Sequence, residues 1–263
     1  MMTHYLSVVR MALMLGLKRS MQYRWDFLIE GSLSLAMAAL QLLPLLVLFS
    51  ERSSVAGWSV NHMLVLMGWY MMVRALVEGV VAPGLAASVA GIRTGQFDYT
   101  LIKPVDSLFL CSLAELKPWK IIDFLFGLGL AGYALSRLDV APSAVDVLLA
   151  AVLSVAGVAA AYALFVLAVA ASFVLVRIQN LTNVLSSFLD FARWPIQAFD
   201  PVWRLVFSVV IPLGVMTSYP VMALLGMLSL PLAAASLAVA ALFFAAARLA
   251  WSRALRGYRS ASS

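Results

Sequence analysis

Between Asp146 and Arg177 the chain carries no charged side chain, and nearly every residue is apolar. About 20 apolar residues in helix suffice to cross the hydrocarbon of a bilayer, so a run this long leaves few other ways to fold. The stretches 27–49, 63–85, 121–138 and 228–250 meet the same criterion as 145–176 itself. Composition points the same way. Of 263 residues, 64% are hydrophobic and only 11% charged, and the mean hydropathy is +1.00. So few charges could not cover the surface of a water-soluble domain. The chain reads as an all-α polytopic membrane protein embedded in the lipid bilayer.

The excluded classes follow quickly. Cys111 is the sole cysteine, so there is no disulfide framework, and His4 and His62 are too few and too far apart for a metal site. The net charge of +6 comes from basic clusters flanking apolar runs rather than from one basic, aromatic-rich face, so no nucleic-acid partner is expected. Residues 1–26 lack a short apolar region followed by a small-residue cleavage site, and no cleaved signal is expected. Tyr5, Leu6, Val9, Leu13 and Leu17 recur there at helical spacing, with Arg10, Lys18 and Arg24 on other faces. That pattern predicts an amphipathic helix in the membrane interface, followed by a single transmembrane domain over 27–263.

Charge bias sets the number of crossings. With the N-terminus inside, the cytoplasmic segments hold Arg10, Lys18, Arg19 and Arg24, then Arg93, Lys103, Lys117 and Lys120. Arg177 follows, and then Arg248, Arg253, Arg256 and Arg259. Only Arg52, Arg137, Arg193 and Arg204 remain outside, while Arg74 falls within a span. This holds if Arg177–Met227 crosses once, which predicts six spans and both termini cytoplasmic. The fifth crossing is 181–199, and the apolar segment 202–227 must then enter and leave on one side. Pro195, Pro201, Pro212 and Pro220 supply the breaks for such a re-entrant hairpin, which must be buried in protein or line a cavity.

Arg74 and Glu78 lie four apart within the second span and share a helix face. Charge at that depth is costly, so the two are expected to pair, either fixing helix packing or lining a path. Asp26, Glu30 and Asp123 read as acids at helix starts, favoured by the dipole, and Asp190 and Arg193 could pair across one turn. No catalytic triad, HExxH or paired-carboxylate pattern emerges, so an enzyme is not expected. Nor is there a GxxxxGK[ST] loop to wrap phosphates; if ATP is used, another chain binds it.

The segment 86–120, after the second span, contains GQFDYTLIKPVDSLFL, Gly95–Leu110. Charged residues alternate there with large apolar ones, a pattern no passive loop requires. The phrase RTGQFDYTLIKPVD resembles the R-x-G-x-[LF]-D-x-x-L-x-[KR]-P signature of the membrane subunits of type-2 ABC exporters, and above all the bacterial permease group associated with multidrug or daunorubicin-type export. WPIQAFDPVWRLVFSVVIPLG, Trp194–Gly214, resembles that group's second signature, with Trp194 where Tyr or Phe is usual. The resemblance implies a permease subunit of the bacterial cytoplasmic (inner) membrane that pairs with an identical or sister permease. It also implies two cytoplasmic ABC ATPase subunits that hold ATP and Mg, with no cofactor bound by the permease itself. A coupling helix after span two would dock on the ATPase through Arg93, Gly95, Phe97, Asp98, Leu101, Lys103, Pro104 and Asp106. Phe97, Leu101, Val105 and Leu108 would fill its groove or pack on span ends, with Asp98, Lys103 and Asp106 at the rim. The hairpin would form the external gate, and the cargo would be a drug-like or lipid-like amphiphile.

The competing classes are an ion-coupled secondary transporter or channel without an ATPase, and a non-transporting scaffold. The first predicts ionisable residues in matched halves, and only Arg74 and Glu78 meet that, without a counterpart.

Overall fold

The helices begin and end where the sequence supplies the chemistry for it. The computed structural model describes residues 2–22, 24–138, 141–173 and 181–258, with the side chains of residues 2–4, 19–21, 24, 26 and 181–183 outside that description. Arg177 and Arg259, and the side chains of His4, Arg19, Arg24 and Asp26, therefore lie outside the described residues. Helix α1 spans Met2–Gln22, α2 Arg24–Leu40 and α3 Leu43–Glu51. The α2–α3 break falls where Pro44, at the start of α3, has no N–H to continue a helical ladder. Ser59 caps α4 (Val60–Leu76) in a reciprocal box with His62, satisfying two N-terminal backbone donors. A widened π turn, Val77–Val81, carries α4 directly into α5 (Ala82–Thr94). Gly95, at φ +76°, ends it in a left-handed conformation that glycine adopts without strain.

Two short helices follow, α6 (Asp98–Leu101) and α7 (Ser107–Ser112), and then α8 (Lys120–Leu135). Ser143 and Asp146 form a second capping box at the head of α9 (Ala144–Ser172). Beyond the undescribed stretch lie α10 (Leu181–Leu189) and two single 3-10 turns, Asp190–Arg193 and Ile196–Ala198. Helices α11 (Pro201–Leu205), α12 (Tyr219–Leu224) and α13 (Leu230–Gly257) complete the chain.

Among the described residues, four helices are long and apolar enough to cross a membrane: Phe27–Glu51 (α2 and α3 across their break), Val60–Thr94, Ala144–Ser172 and Leu230–Gly257. A bent pair, Pro201–Val210 and Gly214–Leu224, meets at 78°. The protein is thus an all-helical membrane protein among its described residues. Helix boundaries depart from the expected spans for local reasons. The second helix runs on past residue 85, because nothing before Gly95 stops it. Helix α8, expected over 121–138, has 16 residues and ends in a turn at Ser136 and Arg137. The stretch expected as one crossing over 181–199 is α10 followed by 3-10 turns, since Pro195 interrupts it.

Glycine sets the closest approaches. A Cβ on Gly68 would sit 2.5 Å from the Gly127 carbonyl, so α4 and α8 pack backbone to backbone. A Cβ on Gly157 would meet the Val215 carbonyl at 2.6 Å, which seats the bent pair against α9. In lipid such contacts stand in for a hydrophobic driving force that is absent between helices.

Cys111 lies in α7 at 2% exposure, behind Gly84, and burial pushes its thiol pKa up. A buried protonated thiol is a poor nucleophile. Native membranes are therefore expected to resist a maleimide added from either face, with rapid labelling after SDS. Rapid labelling of the native protein would show that α7 is not packed as described.

Candidate functional site

Tyr70, Arg74 and Glu78 recur every fourth residue, so one face of the second long helix carries all three. Arg74 Nε donates to Glu78 Oε1 at 2.7 Å, and its Nη1 to Asp190 Oδ1 at 2.7 Å and the Tyr70 hydroxyl at 2.7 Å. The Tyr70 hydroxyl donates to Asp190 Oδ1 at 2.8 Å. Glu78 Oε2 meets Lys120 Nζ at 2.8 Å, and Lys120 also meets Asp123 Oδ2 at 2.9 Å. Ser34 Oγ donates to Asp123 Oδ2 at 2.6 Å and accepts from Lys120 Nζ at 3.1 Å. The result is one ladder of alternating charge. It joins α2, the α4–α5 helix, the head of α8 and the turn after α10.

The π turn explains how the ladder closes. Pro83 has no N–H, so the Gly79 carbonyl lacks its normal fourth-residue donor. The Lys117 N–H takes that place at 2.9 Å, pulling the segment before α8 into the helix. A Cβ at Gly79 would lie 3.0 Å from Lys120 Cβ, so the glycine lets Lys120 come alongside Glu78.

The expected Arg74–Glu78 pair is present, but with five further members, Ser34, Tyr70, Lys120, Asp123 and Asp190. Asp190 does not pair with Arg193 as its spacing suggested; it faces Arg74 and Tyr70. Arg193 lies over the Trp194 ring, 5.9 Å from the centroid, with Nε buried and unpartnered. The 3-10 turn by itself would set the two on one face; Asp190 Oδ1 is instead taken by the two donors that packing brings to it, Arg74 and Tyr70. Asp123, read as a helix-end acid, is a rung of the ladder. Ser34, Tyr70, Lys120 and Asp190 were not singled out with Arg74 and Glu78. The Tyr70–Arg74–Glu78 repeat and the Lys120–Asp123 spacing were the signals available. A cavity of about 640 Å³ opens beside the ladder, between α2 and the α4–α5 helix, with Lys117 and Trp119 at one end.

The segment 95–112 lies at the other end of α5. Phe97 is buried, edge-on to Phe173, Trp251 and Tyr258 with centroids at 5.5, 6.2 and 5.4 Å. Leu108 is buried as well. Asp106 caps α7 through the Phe109 N–H and pairs with Arg248 at 3.3 Å, while Trp251 Nε1 donates to Ser107 Oγ. Asp98 acts on the Tyr258 hydroxyl, whose pKa partial burial and that carboxylate push up. These contacts tie the segment to the ends of α9 and α13. Facing outward are Tyr99 at 70% exposure, Leu101, Ile102 at 79%, Lys103 and Pro104, together with Arg93 in the last turn of α5. Pro104 follows α6 and prevents its continuation, so it ends that helix rather than starting it. On the outer side of α7, Tyr5 of α1 packs edge-on against Phe109 at 5.0 Å.

The four expected prolines punctuate the region 190–224. Pro195 precedes the second 3-10 turn, Pro201 opens α11, Pro212 falls in the 78° bend and Pro220 opens α12. The two limbs are tied across the bend by Ser208 and the Tyr219 hydroxyl at 2.6 Å. Thr217 Oγ1 donates to the Ala192 carbonyl at 2.7 Å, and Ser218 Oγ accepts from the Ile196 N–H at 3.1 Å.

Comparison with curated proteins and with solved structures returns no match. A family model described as ABC-2 family transporter protein matches residues 35–262, from within α2 to beyond the end of α13. That range contains the ladder except Ser34, the segment after α5 and the bent pair. With all-helical architecture and several apolar helices of membrane-crossing length, the chain belongs to the ABC-2 family of transporter proteins and is a multi-pass membrane permease.

Proposed function

We propose that this permease forms the path of an ATP-driven exporter, working as a pair with an identical or sister permease on two cytoplasmic ABC ATPase subunits that hold ATP and Mg. The observation that carries the reading is the segment 95–112. Its inner residues are clamped to α9 and α13, while Tyr99, Leu101, Ile102 and Lys103 of α6 and its exit face outward. An element exposed on one side and locked to long helices on the other can transmit a push from a docked ATPase to the spans. In this reading Arg93 and Lys103 supply charge at the rim of the ATPase groove. Phe97 and Leu108 pack on the span ends rather than fill it.

The six-span arrangement in the inner membrane, with both termini cytoplasmic, fits α10 and the following turns as the fifth crossing. The bent pair then forms a re-entrant external gate hinged at Pro195, Pro201, Pro212 and Pro220. Cysteines placed at Asp200 and Met227 in a Cys111→Ser background are expected to label from the same, periplasmic side. Opposite-side labelling would make the pair a full crossing.

An ion-coupled carrier is the second reading, supported by the charge ladder beside the cavity. The cargo in either case is an amphiphile, in keeping with a cavity walled by both charged and apolar residues. Membranes containing the permease should copurify an ABC ATPase and accumulate a fluorescent amphiphile only when ATP is hydrolysed. Uptake driven by an ion gradient without nucleotide would replace the export reading with the carrier.

A further inference from the structure

We infer that the cavity beside the charge ladder is a binding site for an amphiphile with a protonated amine head, received at Glu30; this rests on the amphiphile-export reading and names the head group. The argument is one of charge balance. Arg74 is held between Glu78 and Asp190, and Lys120 between Glu78 and Asp123, so of the three wall cations only Lys117 makes no ion pair among the described residues, and Glu30 offsets its charge. The five paired groups leave one negative charge in excess. Asp123 Oδ1 shows the same surplus of acceptors, being buried with no hydrogen-bond donor. An anionic head would add to that excess in a region of reduced screening, whereas an ammonium, with three donors, relieves it.

Glu30 fixes where the head sits. It lines the cavity, is exposed, and makes no ion pair among the described residues. One turn along α2 lies Ser34, already engaged with the ladder, so Glu30 is the carboxylate left to the mouth. The rest of the lining is largely apolar, with Leu33, Met37 and Ala38 of α2 and Met71, Ala82 and Pro83 of the α4–α5 helix. A polar head at Glu30 with an alkyl tail along that wall is the molecule whose shape and charge match. Lys117 stands at the same mouth, its ammonium 5.6 Å from the Trp119 ring centroid. It would meet a phosphate if the amine belongs to a phosphoethanolamine headgroup, so the shared chemistry is the amine and two sources present it.

The test is equilibrium binding to the purified permease in phosphatidylcholine nanodiscs, without ATPase or nucleotide, so its failure is separate from any failure of ATP-driven export. The probes share one tail: dodecylamine, dodecylphosphoethanolamine, dodecanol and dodecyl sulfate. Dodecylamine is expected to bind at least tenfold more tightly than dodecyl sulfate. Glu30→Gln should weaken it about tenfold, leave dodecanol unchanged and, lying outside the ladder, leave thermal stability unchanged. If Lys117→Gln weakens dodecylphosphoethanolamine alone, the source is a phospholipid headgroup; if it weakens neither amine, the source is a free amine. Preference for dodecyl sulfate, or a Glu30→Gln variant that binds dodecylamine as the parent does, overturns the assignment.

Discussion

Arg74→Ala is expected to destabilise the permease in the membrane by about 3 kcal/mol. The guanidinium serves Glu78, Asp190 and the Tyr70 hydroxyl at once, and it supplies the charge to the α4 bridge that Tyr70 also makes to Asp190. Removing it leaves Asp190 with no paired cation and Glu78 sharing Lys120 with Asp123. Losing one partner of a buried ion pair costs about 3–5 kcal/mol. Arg74 is 27% exposed, which favours the lower end, about 3 kcal/mol, still a large part of the stability of an ordinary domain. Arg74→Lys should fall between, because a single ammonium cannot reproduce the planar fork that meets three acceptors. Neutralising the cluster together, with Arg74→Gln, Glu78→Gln and Asp190→Asn, should restore much of the loss, since no charge is then stranded. The readout is the monodisperse fraction after extraction and its thermal unfolding. Parental yield and stability in Arg74→Ala would mean the ladder does not hold these segments together.

The second large effect is expected at the outward face of α6. Tyr99→Asp combined with Ile102→Asp should abolish ATPase copurification and ATP-driven transport while leaving the permease inserted and stable. At 70% and 79% exposure neither side chain contributes much to the fold, so both are free to serve a partner. Aromatic and aliphatic anchors at the centre of an interface cost about 2 kcal/mol or more each when lost, or roughly thirty-fold in affinity. Phe97→Ala should behave differently. It removes the ring that holds the segment against Phe173, Trp251 and Tyr258 and leaves the docking face in place. Binding should largely survive while transport per ATP falls. Lys103→Glu is expected to weaken association more modestly, as a rim charge does. Asp98→Lys is a less clean probe, because Asp98 acts on Tyr258 within the chain. If the Tyr99 and Ile102 double variant binds and transports normally, α6 is not the docking element.

Apolar run length by itself determined that the chain lives in a membrane, because lipid accepts only backbone that satisfies its own hydrogen bonds. Local chemistry likewise marked the proline breaks after residue 194 and the Arg74–Glu78 pair, each a matter of residues within one or two turns. The segment 95–112 was recognisable as unlike a loop, yet which of its apolar residues turn inward was not. Phe97 and Ile102 have equal claim on sequence, and only the arrival of Phe173 and Trp251 from distant helices buries the first and leaves the second exposed. The ladder was beyond sequence for the same reason. Asp190 lies 116 residues from Arg74, and Ser34 lies 89 from Asp123. Charge in a low-dielectric environment seeks the partner that packing brings nearest, so Asp190 joined Arg74 across the fold and not Arg193 one turn away.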